Sequence, residues 1–345
     1  MKKKFFFKMD IFTHLLSIAF PNSNVLISPV SISSILSILL FGSSGDTAIQ
    51  ISSLLESTYS NYCSDDIIIA NRIYGDLKLH FKTQFIDKFG KELILVNFNH
   101  NTELIKNDIN EWIKKLTHDK IKNLINEISE NTKLLLLNAV YFKLKWRIPF
   151  DKQQTKMEKF WYDNSRYENI EMMNDVNVYP FIELKELGLK IIELPYENNY
   201  SMIILLPKDI KKIEKILTGN SLTSWIEKMN LYEVNVKIPK FKIEETYDLK
   251  LSLISLGIIN IFDGSADFSN MTKNKNLSVD NFYHKTYIEI DEEGAELSAA
   301  SYCCVADCGC NEKEFIANKP FIFFIKDNIN VSFLFIGKFS FPHIR

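Results

Sequence analysis

The chain has 345 residues, 46% of them hydrophobic and 24% charged, with only 11 glycines and 9 prolines. A chain this long can bury enough surface to fold without disulfide or metal staples, and so little glycine and proline excludes collagen-like, linker-rich or disordered architecture. With 41 basic against 43 acidic residues the net charge is −2, which leaves no broad electrostatic case for nucleic acid or an acidic membrane as a partner.

The chain opens on Met1-Lys-Lys-Lys-Phe-Phe-Phe-Lys8, which imitates the basic start of a signal peptide. A secretory core needs about 7–15 uninterrupted apolar residues, and Lys8 and Asp10 break this one. Residues Ile11 to Phe20 read instead as an amphipathic first helix. Met9 is an alternative start, which would make residues 1–8 an upstream extension. No run approaches the ~20 apolar residues of a membrane span. Ser31 to Leu40 carries apolar residues at Ile32, Ile35, Leu36, Leu39 and Leu40, the spacing of a helix, and Pro29 stands just ahead, where a helix start tolerates it. Asn107 to Leu116 is a second amphipathic helix.

Strands dominate later. Lys133–Phe142 is too apolar to be half exposed and reads as a buried central strand. Leu189–Pro195 and Tyr200–Pro207 form a pair joined at Glu197-Asn198-Asn199. Glu233–Pro239 alternates as a strand does, Thr286–Ile290 is another, and Phe321–Ile325 and Val331–Gly337 flank a polar turn at Asp327-Asn328. Helices first and strands later give an α+β class. With no repeat, linker or low-complexity stretch, residues 9–345 read as one domain.

Enzyme motifs are absent: there is no Gly-x-Gly-x-x-Gly, Walker loop, His-Glu-x-x-His or Gly-x-Ser-x-Gly. The six histidines, His284 among them, show no metal-ligand pairing and read as surface or packed residues. The five cysteines are unevenly placed: Cys63 stands alone, and Cys303, Cys304, Cys308 and Cys310 crowd together. Adjacent cysteines rarely share one tetrahedral ion, so this spacing matches no regular zinc site. An odd, clustered set suits a reducing compartment, and the cytosol is the expected location. The sequons at Asn199, Asn270, Asn276 and Asn330 then carry no glycan, and Asn330 reads as part of a strand. No metal or cofactor is expected.

The informative stretch runs from Glu289 to Cys310. A strand ends in acidic residues and Gly294, small residues follow, and then comes the peptide Val305-Ala306-Asp307. About twenty residues with no packing pattern inside a compact fold are usually functional. Read plainly, this is a surface loop. Read more sharply, it is a protease-facing loop whose small residues could enter a sheet.

Several further segments, taken in order, resemble the serpin family. They are Asn24-Val-Leu-Ile-Ser28-Pro29-Val-Ser31, Phe41-Gly-Ser-Ser-Gly-Asp-Thr47, Leu137-Asn138-Ala-Val-Tyr-Phe-Lys-Leu-Lys-Trp146, Ile238-Pro-Lys-Phe241, Ala266-Asp-Phe-Ser269, Asp291-Glu-Glu-Gly294, Asn318-Lys-Pro-Phe-Ile-Phe323 and Phe335-Ile-Gly-Lys338. The resemblance implies three β-sheets, about eight helices and an exposed reactive-centre loop at about residues 292–314. The short gap between Ser57 and Ile73 implies that helix D is reduced or absent.

By the same resemblance a target protease attacks the loop as a substrate. The hinge Glu292, Glu293, Gly294, Ala295, Glu296, Leu297, Ser298, Ala299 and Ala300 then enters the main sheet, trapping the protease as an acyl-enzyme. Ala295, Ala299 and Ala300 are small enough to fit beneath a sheet, whereas Leu297 departs from the usual alanine, and Leu144 stands where many members have glycine. Ser28, Ser31, Asn138, Trp146 and His284 match the residues where the sheet must open. Counting thirteen residues from Gly294 reaches Asp307, and the count usual in the family, one residue longer, would select Cys308; the shorter count implies Asp307–Cys308 as the reactive bond, with Cys304, Val305 and Ala306 as flanking recognition positions. This count is the shorter one of certain poxvirus members. It implies host partners that cleave after aspartate: inflammatory and apoptotic caspases, above all the interleukin-converting one, and granzyme B. The protein would be a monomer and an inhibitor rather than an enzyme. Two other readings stay open, a serpin-fold substrate or binding module that does not trap, and a thiol or zinc sensor.

Overall fold

The computed structural model describes residues 6–18, 23–55, 67–274, 277–293, 313–330 and 332–342. Its elements begin with α1 (Phe6–Ile18), β1 (Val25–Ile27), α2 (Pro29–Gly42), α3 (Gly45–Leu54), β2 (Ile67–Asp76), α4 (Thr83–Phe89), β3 (Leu93–Val96), α5 (Thr102–Leu116) and β4 (Leu134–Phe142). There follow β5 (Lys156–Trp161), β6 (Tyr167–Leu184), β7 (Leu189–Pro195), β8 (Tyr200–Pro207), α6 (Ile210–Ile216), α7 (Gly219–Ile226) and β9 (Asn230–Pro239). The chain closes with β10 (Phe241–Asp248), α8 (Lys250–Ser255), α9 (Asn260–Asp263), β11 (Asn281–Ile290), β12 (Lys313–Ile316), β13 (Phe321–Asp327) and β14 (Ser332–Phe339). The described chain divides into two compact units, one of Met1–Ala19, Leu26–Phe142 and Glu244–Ile288, the other of Phe20–Val25, Lys143–Ile243 and Glu289–Arg345. Among the described residues no helix is long and apolar enough to cross a membrane.

The first unit is built on a five-stranded sheet in the order β10-β11-β4-β2-β3. Its central strand β4 is buried along its whole length, as its strongly apolar sequence predicts, with Asn138 the one polar side chain in it that the site below must satisfy. Alternate residues Leu135, Leu137, Ala139 and Tyr141 enter one core cluster with Tyr287 of β11. Ile105, Ile109 and Ile113, one turn apart on α5, fill that cluster together with Ile121, Leu124 and Ile125 of the following segment. The helix starts earlier than its core pattern shows, at Thr102. On α2, Ser28 is the N-cap, its hydroxyl accepting from the Ser31 N–H, and Pro29 follows at the first helical position.

The second unit carries the strands β14-β13-β8-β7-β6-β9-β12 in that order, with β5 paired to β6, in a sheet of nine strands that begins with β1. The expected three sheets form two hydrogen-bonded sets among the described residues. The cause is β6, 18 residues long, which pairs with β5 near its start, with β7 at its end, and with β9 from Met172 to Phe181. The β7–β8 turn is where the sequence places it, with Asn198 and Asn199 at φ 55° and 64°, a conformation asparagine tolerates better than most residues. Asn330 corrects one expectation. It sits in the exposed turn between β13 and β14, its side chain donating to Asp327 Oδ2 at 2.7 Å, and is not part of a strand.

Gly337 of β14 lies opposite Phe323 of β13. A Cβ at Gly337 would lie 2.4 Å from Phe323 Cζ. Gly337→Ala therefore forces a fully buried ring out of its place, and overpacking of this kind costs roughly 1–3 kcal/mol. Urea unfolding should show that loss, and the double variant Gly337→Ala/Phe323→Leu should recover part of it.

Candidate functional site

Two clusters of polar residues stand out, one in each unit. In the first unit β4 and β11 run parallel, with Asn138 aligned to His284. On the other side of β4, Asn71 of β2 aligns with Asn138. Three polar side chains thus form one row across the sheet, and Asn138 and His284 have no exposure. Such groups are tolerated only when their hydrogen bonds are made.

The row is fully wired. The Ser28 N–H donates to His284 Nε2 at 3.1 Å, which fixes the proton on Nδ1. Nδ1 then donates to Asn138 Oδ1 at 2.5 Å. Asn138 Nδ2 donates to Asn71 Oδ1 at 2.5 Å and to the Ser31 hydroxyl. Asn71 Nδ2 donates to the Ser34 hydroxyl at 2.6 Å, and that hydroxyl donates to the Ser31 carbonyl at 2.7 Å. The start of α2 therefore braces the β4–β11 pairing from below. Burial pushes the His284 imidazole down to about 3, so it is neutral near pH 7.

The next residue on β11, Lys285, faces the α5 side of the sheet, since successive strand residues alternate. Its ammonium donates to the Asn123 carbonyl at 2.6 Å and pairs with Glu244 of β10 at 2.9 Å. This ties the segment after α5 to β11. The neighbouring Glu245 carboxyl is pushed up to about 7, chiefly by burial, with Lys285 opposing the shift and Glu244 adding to it.

In the second unit, the residues that follow β11 are held by side chains from several strands and loops. Trp146 stacks on Tyr196 with ring centroids 4.1 Å apart, and its indole N–H donates to the Asp291 carbonyl at 2.8 Å. Its backbone N–H donates to the Glu293 carbonyl at 3.3 Å. Lys143 pairs with Glu293 at 3.1 Å and with Asp291 at 3.7 Å. Lys240 pairs with Glu292 at 3.1 Å and Glu171 at 3.4 Å, while the Thr155 hydroxyl donates to Glu292 at 2.8 Å. Burial opposes the charge on Glu292, yet Thr155 and Lys240 hold its carboxyl below the usual range. On Glu293 the Lys143 ammonium does the same. Thr155, Glu171, Lys240 and the Asp291–Glu293 residues, with Lys152, line a cleft of about 350 Å³.

The structure therefore brings Ser28, Ser31, Asn138 and His284 into one network, and joins Trp146 to the Asp291–Glu293 backbone. The hinge residues Gly294, Ala295, Glu296, Leu297, Ser298, Ala299 and Ala300 lie outside the described residues. So do Cys304, Val305, Ala306, Asp307 and Cys308, and the segment where helix D would stand. Leu144 is buried. Sequence reading missed Asn71, Ser34, Lys143, Thr155, Glu171, Lys240 and Lys285. Asn71 follows the apolar run Ile67–Ala70 of β2, a signal that could have marked it, whereas Lys285 sits among other polar residues of β11 and carried none. Among the described residues no group of three or more metal-ligating side chains converges.

Comparison with known proteins fits this arrangement. A family model described as Serpin (serine protease inhibitor) matches residues 3–342. Serine proteinase inhibitor 2 of Myxoma virus (strain Uriarra) is 39% identical over 337 residues, covering 97% of this chain and 100% of that protein. Serine proteinase inhibitor 1 of Variola virus is 38% identical over 364 residues, with 97% and 96% covered. Among solved structures, maspin superposes with a TM-score of 0.86 at 33% identity, covering 97% of each chain.

His284 and Glu245 give stability opposite dependences on pH. Unfolding frees His284 to take up a proton below its ordinary 6.5, so acidification from pH 7 to 5 costs about 2 kcal/mol through this residue. Glu245 is already protonated below about 7 when folded but only below 4.5 when unfolded, so the same change gains about 2 kcal/mol. The two nearly cancel. Relative to wild type, His284→Gln should gain stability between pH 7 and 5 and Glu245→Gln should lose it, each by about 2 kcal/mol, read from urea midpoints at both pH values.

Proposed function

The chain belongs to the serpin family, and we propose that it is a poxvirus-type intracellular inhibitor of proteases that cleave after aspartate. The bait is the Asp307–Cys308 bond. The targets are the inflammatory and apoptotic caspases, the interleukin-converting one first, and granzyme B. Blocking them in the host cytosol suppresses inflammation and death of the infected cell.

One observation supports this reading above the rest: β4 and β11 pair in parallel, and Asp291-Glu292-Glu293 follow directly on β11. A segment that folds back after β11 is antiparallel to it. Placed between β11 and β4, it is antiparallel to both, so one parallel ladder is exchanged for two antiparallel ones, the more stable kind per residue. The added strand supplies the driving force that carries a bound protease with it. Ala295, Ala299 and Ala300 suit such entry because alternate side chains must fit under the sheet.

Target choice rests on Asp307. A protease pocket lined by arginine grips a carboxylate through paired, charge-assisted hydrogen bonds, and few proteases offer one. Cys304, Val305 and Ala306 occupy the flanking subsites. Cys308 forms the new N-terminus on cleavage.

Leu297 favours a second reading, in which the hinge enters too slowly and the protein is cleaved without trapping. Incubation with an inflammatory caspase or granzyme B separates the two. Inhibition with a stable complex is expected, and Asp307→Ala should weaken it on the order of 10³-fold or more, because the pocket's arginine is left without its partner. Cleavage after Asp307 with protease activity intact would establish the second reading. Equal inhibition by Asp307→Ala would refute both.

A further inference from the structure

The two cations that grip the residues after β11 differ in where their partners stand. Lys143 pairs with Asp291 and Glu293, both on the segment that follows β11. Lys240 pairs with Glu292 of that segment at 3.1 Å and with Glu171 of β6 at 3.4 Å. Glu171 stays behind when the segment moves. The Lys240 N–H donates to its carbonyl at 2.9 Å, and the adjoining residues Met172 and Pro239 are in register. Lys240 is fixed as well. It is the single residue between β9 and β10, and the Phe241 ring beside it packs against Phe323 and Phe339, with centroids 5.5 and 4.6 Å away.

One ammonium thus serves a permanent carboxylate and a removable one. The permanent partner is the more exposed, with 55% of the Glu171 side chain open to solvent against 5% for Glu292. Glu292 also accepts from the Thr155 hydroxyl at 2.8 Å. Burial opposes the charge on Lys240, yet Glu292 first and Glu171 after it hold the ammonium above the usual lysine range. Two carboxylates that share one ammonium repel each other, and each holds it less firmly than it would alone. Drawing Glu292 away ends that repulsion and leaves Lys240 paired with Glu171, so no partly buried cation is stranded. Without Glu171 the same movement would break an undivided ion pair and strand the lysine.

We propose that Glu171 is a positioning residue for the hinge: acting through Lys240, it lowers the cost of withdrawing Glu292 and so speeds departure of the Asp291–Glu293 segment. The proposal rests on the reading given above, in which that segment moves once the loop is cut. Glu171, Lys240 and Glu292 all line the same cleft of about 350 Å³, where dissolved ions compete for these charges. Thr155 and Lys240 hold Glu292 in place, and Glu171 limits how firmly.

The test is stopped-flow tryptophan emission of the full chain at saturating thermolysin, with the cut at Val305 or Ala306 verified by mass. A protease of broad specificity makes the measurement independent of the natural target. Trp146 reports the movement, because its indole N–H must leave the Asp291 carbonyl. Glu171→Gln should slow the emission change about two- to fivefold, what a partly exposed ion pair contributes. Salt at about 1 M should shrink that difference. Glu292→Gln should speed the change, and in that background Glu171→Gln should have no effect, a loss that a merely structural role would not produce. Lys240→Gln serves as a second background with the same expectation if Glu292→Gln does not fold. No emission change in the cut wild type would sink the trapping reading and this role with it. A change whose rate Glu171→Gln leaves unaltered, or slows equally in every background, would overturn the role of Glu171 alone.

Discussion

The parallel ladder between β4 and β11 is the constraint on which the rest turns. Two strands whose neighbours in sequence lie far apart are held in register by backbone hydrogen bonds and by one contact between buried polar side chains. Parallel ladders with both faces covered are usually lined by aliphatic residues. Here His284 and Asn138 interrupt that rule, and α2 begins where it does so that Ser28 and Ser31 can satisfy them. A buried polar row of this kind specifies register, because a shift of one residue would leave every member without its partner.

The second unit meets a different need. The three acidic residues that follow β11 are gripped at their carboxylates by Lys143 and by Lys240 of the β9–β10 junction, and at the Asp291 and Glu293 backbone carbonyls by Trp146. These contacts are partly exposed, so each contributes less than a buried pair and weakens with salt. Their number compensates. The arrangement fixes the course of Asp291–Glu293 through contacts that can be exchanged one at a time.

Much of this was legible in the sequence. The strongly apolar β4, the spacing on α2 and the Asn-Asn turn of β7–β8 each follow from local rules, and the structure reproduces them. The first half of β11 was not legible: Asn281-Phe-Tyr-His284-Lys285 looks half polar, because both its histidine and its lysine are buried with partners that come from distant residues. The clamp around Asp291–Glu293 was hidden for the same reason. Charge pairs such as Lys240–Glu292 form across fifty residues of chain, and no periodicity announces them. Asn330 was misplaced because an apolar run on either side outweighed the turn chemistry of Asp327-Asn328. Membership of the family could be read from ordered motifs because those motifs are packing requirements, such as the close approach of Gly337 to Phe323.

His284 and Lys285 are neighbours on β11 that face opposite ways, one tied beneath the sheet and the other tied above it. The polar row ties β11 to β4 and α2, and the lysine ties it to β10 and to the segment after α5. Freeing either side chain leaves the other fastened, so the strand's position is shared between its two faces and is owed to no single contact.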